Sequence, residues 1–255
     1  MTWPIVNQVP ATVLLDSLAW IRRSVLVVGR PGMGKTTIAQ AYLRKFGHEL
    51  RVDGPAIRTA EDVKWLLEWM LERPVLIDEA HRLSIPELLY STLDNPVKGW
   101  PVIALTTTDE GELPAALRSR LTLVALQRYE LQHLAQIAQV HTWQMPQAAA
   151  GRIAQLARGN PRRAVRLAEV VQLNWARWKG DSAVKVNTIL ESTGMEGGLD
   201  ARERDYLRAL RNGPLSISTL AATLGTGRNT IREIESYLIA AGLVTITSRG
   251  RLLKK

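Results

Sequence analysis

The sequence contains no cysteine, only four scattered histidines, and no apolar run long enough to cross a membrane. The absence of cysteine excludes disulfide bonds and metal sites built from thiolates. The longest apolar runs, SVLVVG and LTLVAL, have the length of strands, and the first ten residues lack the charged start and apolar core of a signal peptide. We therefore expect a cytoplasmic protein that does not insert into a membrane.

Basic residues outnumber acidic residues only in the second half of the chain. Lys and Arg number 33 against 24 Asp and Glu, a formal net charge of +9. Residues 1–125 hold 14 of each sign, whereas residues 126–199 hold nine basic and five acidic, and residues 200–255 hold ten and five. This distribution indicates a polyanionic partner for the second half. Nucleic acid is the first candidate and a membrane surface the second.

Short apolar runs alternate with helical patterns in the first half, which is typical of a parallel α/β sheet. The predicted strands are 24–29, 49–53, 74–79, 101–107 and 121–126, and the predicted helices are 35–46, 61–72 and 86–94. Ser84 and Glu87 have the spacing of a capping box at the start of the last helix. From residue 130 only helical periodicity appears for over a hundred residues, with breaks predicted at 178–187 and 192–200.

The last 56 residues follow a different pattern. Three amphipathic helices, LDARERDYLRAL, SISTLAATLG and GRNTIREIESYLIAAG, precede two short strands that flank a turn at Arg249-Gly250. This is the winged-helix variant of the helix-turn-helix. The predicted domains are therefore an α/β domain with a five-stranded parallel sheet (1–126), a helical domain (127–198) and a winged-helix domain (199–255).

The segment GRPGMGKTT matches the phosphate-binding pattern G-x-x-x-x-G-K-[ST] in full, directly after a predicted strand and at the start of a predicted helix. Glycines let backbone N–H groups surround the phosphates, and the helix N-terminus adds partial positive charge. In this pattern Lys35 reaches the terminal phosphates of ATP and Thr36 binds Mg²⁺. The alternative is a glycine-rich turn with an unrelated lysine. The predicted nucleotide-binding residues are Gly29, Pro31, Gly32, Met33, Gly34, Lys35, Thr36 and Thr37.

The strand PVLIDE (74–79) ends on two carboxylates. A buried strand can end on a carboxylate without a catalytic role, but this one follows the phosphate loop by one helix and one strand. Asp78 is therefore predicted to hold Mg²⁺, and Glu79 to orient and deprotonate the attacking water.

Residues 78–81 spell DEAH, the tetrapeptide that names one group of nucleic-acid helicases. Such a helicase needs a second RecA-like domain, and after residue 126 this chain offers helices and a winged helix instead. We interpret Asp78 and Glu79 as the catalytic pair and His81 as a structural or subunit-interface residue.

Three segments resemble the RuvB family, whose members are AAA+ motors that migrate Holliday junctions. They are IDEAHRLSIPELLYSTLDN (77–95), RGNPRRAVRL (158–167) and LDARERDYLRAL with SYLIAAGLVTITSRGR (within 199–251). The resemblance covers nearly the whole chain in order, as nucleotide core, helical lid and winged helix. It is more specific than any single motif.

The resemblance implies three further roles. Thr107, with Thr106 beside it, would be the first sensor, Arg120 the arginine finger that reaches a neighbouring subunit's nucleotide, and Arg162 the second sensor on the lid. Threonines that merely end a strand and arginines that are solvated or face DNA are the alternatives. The expected catalytic residues are thus Lys35, Asp78, Glu79, Thr107, Arg120 and Arg162, with Arg162 also binding nucleotide.

The winged helix carries arginines in two places, at the start of its third helix and around Gly250. Resemblance to RuvB favours a basic wing tip that enters a minor groove and holds phosphates, largely without regard to sequence. The alternative is a winged helix that docks a protein. The predicted DNA-binding residues are Arg228, Arg232, Arg249 and Arg251.

The sequence departs from the family at two points. Only 28 residues precede Gly29, and the segment LDNPVKGWPVIALTT passes from helix to strand with almost no room for the β-hairpin that docks RuvA. The RuvA partnership is therefore in doubt, and a shortened relative from a phage or mobile element would explain both departures.

The resulting hypothesis is a RuvB-like AAA+ ATPase that uses ATP and Mg²⁺ and assembles on DNA as a homo-oligomer, with six subunits expected. It drives translocation, branch migration or remodelling in recombination or replication. One alternative is an ATP-gated helicase loader, clamp loader or transposition adaptor that acts on a protein. Another is a DNA-binding regulator with a degenerate nucleotide site.

Overall fold

The computed structural model describes residues 8–70, 73–94, 102–142 and 145–254. The chain folds into two compact units, Met1–Arg128 and Tyr129–Lys255. The boundary lies two residues beyond the predicted end of the α/β domain. The predicted helical and winged-helix domains both belong to the second unit.

The first unit is built on a five-stranded parallel sheet with the strand order β2-β3-β4-β1-β5. Each predicted strand is present within two residues of its predicted bounds. The strands are β1 Val25–Val28, β2 Leu50–Asp53, β3 Val75–Asp78, β4 Ile103–Thr107 and β5 Thr122–Ala125. The helices are α1 Val9–Trp20, α2 Lys35–Leu43, α3 Ala60–Met70, α4 Tyr90–Asp94 and α5 Ala115–Arg118.

The predicted capping box before α4 is wrong. A 3₁₀ turn, Pro86–Leu89, precedes α4, and Ile85 stands before it without any side-chain cap. Pro86 is accommodated in the first turn because it has no N–H to leave unpaired there. Ser84 therefore lies one residue too early to cap.

Helices cover both faces of the sheet. One apolar core contains Leu15, Ile38 and Tyr42 from α1 and α2, and the other contains Leu66 and Leu89. Because β1, β3 and β4 are covered on both faces, their side chains are almost all buried and apolar. Because these strands are parallel neighbours, the polar residues at their carboxyl ends meet at one edge of the sheet.

The second unit begins with four helices, α6 Leu131–His141, α7 Gln147–Ala157, α8 Pro161–Asn174 and α9 Ser182–Ser192. The break predicted at 178–187 is only partly correct, because α9 begins inside it. Gly180 has a positive φ, and the Asp181 side chain caps α9 by accepting from Ala183 N. Gly180-Asp181 thus marks a helix start.

The winged helix completes the second unit with α10 Ala201–Ala209, α11 Ile217–Thr223, α12 Arg228–Ala240, β6 Val244–Thr247 and β7 Gly250–Leu253. The two strands pair antiparallel, and Leu215 adds one bridge to Arg251. Gly250 is required there because its φ is +122° and a Cβ would lie 2.4 Å from Leu215 O. No helix among the described ranges is long and apolar enough to span a membrane.

Candidate nucleotide-binding, catalytic and DNA-binding residues

The phosphate-binding loop connects β1 to α2. Gly32 and Gly34 have φ values of +80° and +85°, a left-handed conformation that favours glycine. Gly34 directly precedes α2, so the N–H groups at the start of this helix face the loop. Lys35, the first residue of α2, is buried. The segment has the backbone conformation expected of a loop that surrounds phosphates, and it contains all eight predicted nucleotide-binding residues.

Asp78 is the centre of a polar cluster at the end of β3. Its Oδ2 atom accepts a hydrogen bond of 2.9 Å from the Thr36 hydroxyl, and its Oδ1 atom accepts one from the Thr106 hydroxyl. β3 lies between β2 and β4, so Thr106 reaches Asp78 from the neighbouring strand. Asp78 itself is only 7% exposed.

The oxygens of Thr36 and Asp78 suit Mg²⁺, which prefers hard oxygen ligands. Among the residues that the structure describes, no group of three or more His, Asp or Glu side chains could hold a metal. A bound Mg²⁺ would therefore depend on nucleotide phosphates and water for most of its ligands, as is usual for this ion.

Arg51 on β2 contacts the same carboxylate. Its Nη2 atom lies 2.9 Å from Asp78 Oδ2 and 3.7 Å from Asp53 Oδ1. Arg51 is not among the site residues predicted from the sequence. The only available signal was its place in a predicted strand, and strand order had to be known before it could be paired with Asp78.

Glu79 adopts a left-handed conformation with φ 53° and ψ 48°. Such a conformation is uncommon for a residue other than glycine and is typical of functional sites. The Glu79 N–H points at the Thr106 hydroxyl at 3.4 Å, and Gly54 approaches so closely that a Cβ there would lie 2.5 Å from Glu79 O. The backbone that carries the predicted catalytic carboxylate is thus fixed by contacts on two sides.

Thr107 and Glu79 are connected through His81. The buried Thr107 hydroxyl donates to Asp109 O at 2.9 Å and lies 3.0 Å from His81 Nδ1. His81 Nε2 lies 3.6 Å from Glu79 Oε2 and 3.8 Å from Glu112 Oε2. His81, interpreted from the sequence as a structural or subunit-interface residue, therefore lies between the predicted first sensor and the predicted base.

Arg120, the predicted finger, is paired within its own chain. Its Nε and Nη2 atoms each lie 2.8 Å from a carboxylate oxygen of Asp94, and its guanidinium lies 4.6 Å from the centre of the Tyr90 ring. Arg118 is exposed. For Arg120 to reach a neighbouring subunit, it has to exchange Asp94 for the nucleotide.

Arg162 and Arg163 follow each other in the first turn of α8. Asn160 caps this helix by accepting from Arg163 N at 3.1 Å. Arg162, the predicted second sensor, is exposed, whereas the Arg163 side chain is only 13% exposed and pairs with Glu203.

The four predicted DNA-binding arginines do not have equal environments. Arg228 and Arg232 are exposed on the first turns of α12, and Arg249 is exposed at the wing turn. Arg251 instead forms a two-pronged ion pair with Glu235, at 2.8 and 3.0 Å, and Tyr206 donates to the same carboxylate. The charge of Arg251 is thus paired inside the domain, and its part in DNA binding stays a prediction.

Comparison with known proteins gives one consistent result. The family model described as Holliday junction DNA helicase RuvB P-loop domain matches residues 20–98, and the RuvB C-terminal winged helix domain matches residues 196–255. The Holliday junction branch migration complex subunit RuvB of Lactobacillus johnsonii is 35% identical over 263 residues, which cover 89% of this chain and 77% of that protein. The same subunit of Granulibacter bethesdensis is 36% identical over 264 residues, 90% of this chain and 73% of that protein.

A solved structure of the Thermotoga maritima RuvB Holliday junction branch migration motor has a similar fold. It superimposes with a TM-score of 0.83 at 28% identity, over 98% of this chain and 93% of that one. The nucleotide core, the helices that follow it and the winged helix are all included. Identity of this level over most of the chain, with both domain models matched in order, confirms the family resemblance: the chain belongs to the RuvB family of AAA+ ATPases.

Proposed function

We propose that this protein is a branch-migration motor, which assembles as a ring or spiral of six subunits on branched DNA and moves the junction by hydrolysing ATP. The observation that carries the proposal is the polar cluster of Thr36, Asp78, Thr106 and Glu79 in a chain that also matches the RuvB winged helix. An intact ATPase centre and an exposed basic wing on one chain are what a DNA motor requires.

The proposed chemistry begins at the phosphate loop. Lys35 and the loop N–H groups hold the β- and γ-phosphates, and Thr36 and Asp78 hold Mg²⁺, which neutralises phosphate charge when it is bound. Glu79 accepts a proton from the attacking water, and Thr107 orients the water or the γ-phosphate. His81 keeps the Glu79 side chain near Thr107, since it contacts both residues.

Two arginines complete this centre in the proposal. Arg120 leaves Asp94 in the assembled ring and stabilises transition-state charge on a neighbouring subunit's nucleotide, a contribution that reaches about a thousandfold or more for the arginine fingers of GTPases. Arg162 binds nucleotide from the lid. A single subunit is therefore a poor ATPase, and assembly and hydrolysis are linked.

DNA is held mainly through phosphates. Arg249 at the wing tip and Arg228 and Arg232 on α12 are exposed, so their guanidiniums are available to a backbone. Contacts of this kind position the duplex without reading its sequence, and their affinity falls steeply with salt. The segment expected to lack a RuvA-docking hairpin, 95–101, lies outside the described residues.

The decisive experiment uses the purified protein with a fluorescent four-way junction, a linear duplex and single-stranded DNA. We expect the junction to stimulate ATP hydrolysis. We also expect branch migration to dissociate the junction into two duplexes in an ATP-dependent reaction. Glu79→Gln should bind ATP and DNA as the native protein does but should not dissociate the junction. Absence of junction stimulation, with stimulation by a replicative helicase or another protein instead, would assign the chain to the loader class.

A further inference from the structure

The guanidinium of Arg163 is enclosed by residues from three elements. Its Nη1 and Nη2 atoms lie 2.6 and 2.7 Å from the two carboxylate oxygens of Glu203, and Nη2 also donates to Gly198 O. Its flat face lies 3.9 Å from the centre of the Tyr237 ring. Arg163 is on α8, Glu203 on α10 and Tyr237 on α12, so one side chain joins a lid helix to two helices of the winged helix.

The Glu203 carboxylate has further partners. It accepts from Asp200 N at 2.9 Å, while Glu203 N donates to Asp200 Oδ1 at 3.0 Å, which completes a capping box at the start of α10. Its side chain is 8% exposed. Two Arg163 nitrogens and one backbone N–H thus offset the cost of burying the carboxylate, whereas the buried Arg163 Nε has no hydrogen-bond partner among the described residues.

The connection between lid and winged helix is also packed. Gly198 has a φ of +77°, and a Cβ there would lie 3.0 Å from both Leu156 Cβ and Leu156 O on α7. Gly198 therefore lies directly against the lid, with its carbonyl bound by Arg163. Such a linker allows little independent rotation.

Consecutive residues of a helix point about 100° apart. Arg162 is consequently exposed while Arg163 faces the winged helix. The first turn of α8 thus carries the proposed nucleotide sensor on one side and the anchor of the DNA-binding domain on the other.

We propose that Arg163 is a positioning residue that makes the lid and the winged helix move as one body, so that a displacement of α8 at Arg162 reaches the DNA-binding helix α12. The part of this proposal that concerns DNA rests on the proposed function. The mechanical part does not, because the contacts all lie inside one compact unit.

The mechanical part is tested by distance measurement on spin labels. The native chain has no cysteine, so Glu169→Cys on α8 and Glu233→Cys on α12, both at exposed positions, can be labelled without competing sites. We expect one narrow distance distribution for this pair and a distinctly broader one when Arg163→Ala is added. Arg166→Ala, which removes an exposed arginine of the same helix, should leave the distribution narrow.

Two milder variants keep the proposal testable if Arg163→Ala does not fold. Glu203→Gln keeps a residue that can complete the capping box but removes the charge, and Arg163→Lys keeps the charge but not the planar fork. Both should broaden the distribution less than Arg163→Ala does. A distribution equal to the native one in Arg163→Ala, or in Glu203→Gln if Arg163→Ala does not fold, would overturn the proposal.

The coupling part is tested by ATPase assays with and without a four-way junction. Arg163→Ala should keep the basal kcat and the KM for ATP, while junction stimulation falls about 5-fold or more, the lower range of allosteric coupling. Native stimulation in Arg163→Ala would refute the coupling. If the native protein itself shows no stimulation, the proposed function fails, and the spin-label distances alone decide whether Arg163 joins the two domains.

Discussion

The imidazole of His81 lies 3.0 Å from the hydroxyl of Thr107 and connects it to the carboxylate of Glu79 at 3.6 Å. Removing the imidazole in His81→Ala leaves Glu79 without this lateral contact, although nucleotide binding at the phosphate loop is untouched. Small misplacements of a reacting group typically cost about 100-fold in rate. We expect kcat to fall about 10-fold to 100-fold with an unchanged KM for ATP.

Steady-state ATPase assays with the junction present measure this effect, and His48→Ala provides a control on an exposed histidine of the same unit. A rise of KM with native kcat would show that His81 acts in binding. Native values for both parameters would show that the contact has no part in turnover.

The five strands, and the pair of carboxylates at the end of β3, could be predicted because their signals are local. An apolar run that ends on Asp78-Glu79 is visible without any knowledge of its neighbours. Arg51 and His81 could not be assigned in this way, since their partners depend on the strand order and on a 3₁₀ turn, Ala80–Arg82, that follows β3. Local sequence carries no information about which strand lies beside which.

The two arginines of the wing illustrate the same limit. Arg249 and Arg251 flank Gly250 symmetrically in the sequence, yet only Arg251 has a carboxylate, that of Glu235, within reach. Glu235 lies on α12, 16 residues away. Whether an arginine of the wing is exposed or held in an ion pair is therefore decided by tertiary packing.

Arg249→Ala and Arg251→Ala should consequently affect different properties, the first DNA binding and the second the stability of the winged helix. Arg249→Ala should leave thermal stability within about 0.5 kcal/mol of native, as surface changes do, but weaken junction binding and reduce its salt dependence by about one charge. Arg251→Ala leaves Glu235 buried with Tyr206 as its remaining partner and should destabilise the winged helix by about 3 kcal/mol. Denaturant unfolding and fluorescence anisotropy at several salt concentrations separate the two; equal effects on stability would contradict this division.

Gly54 lies against the backbone of Glu79, the proposed base, and leaves room for it through its lack of a side chain. In Gly54→Ala the new Cβ would lie 2.5 Å from Glu79 O, so the Glu79 backbone has to move. We expect ATPase activity to fall at least about 10-fold, because the base is displaced by a few tenths of an ångström or more.

Gly151→Ala is the matched control. Gly151 lies in α7, and a Cβ there has no heavy atom within 4 Å. The change should stabilise the protein by about 0.5–1 kcal/mol without an effect on kcat. Full ATPase activity in Gly54→Ala, with the fold intact by circular dichroism, would disprove the supporting role.

Tyr206 should make the protein sensitive to alkali. Burial and the neighbouring Glu235 carboxylate raise the pKa of Tyr206 above its ordinary value. The unfolded state, with a pKa near 10, then loses its proton first, so the contribution of Tyr206 to the free energy of unfolding is constant below about pH 10 and decreases above it. Tyr206→Phe should cost about 1 kcal/mol at pH 7, for the lost hydrogen bond, and flatten the decrease above pH 10.

Urea unfolding from pH 7 to pH 11 measures this slope, and no thiol titrates in the range because the chain has no cysteine. Identical slopes in the native protein and in Tyr206→Phe would show that other groups, among them the buried Tyr42, are responsible.

Mixing two inactive variants tests whether Arg120 acts between subunits. Glu79→Gln lacks the base and Arg120→Ala lacks the finger, so each alone should bind ATP and hydrolyse almost none of it. In a mixed assembly, an Arg120→Ala subunit keeps Glu79 and receives Arg120 from a Glu79→Gln neighbour, so some centres are complete. Partial recovery of ATPase activity on mixing, absent when the double variant replaces either partner, identifies Arg120 as a residue that acts in trans. If mixtures stay inactive while native subunits diluted with either variant show activity in proportion to their share, Arg120 serves its own subunit through Asp94.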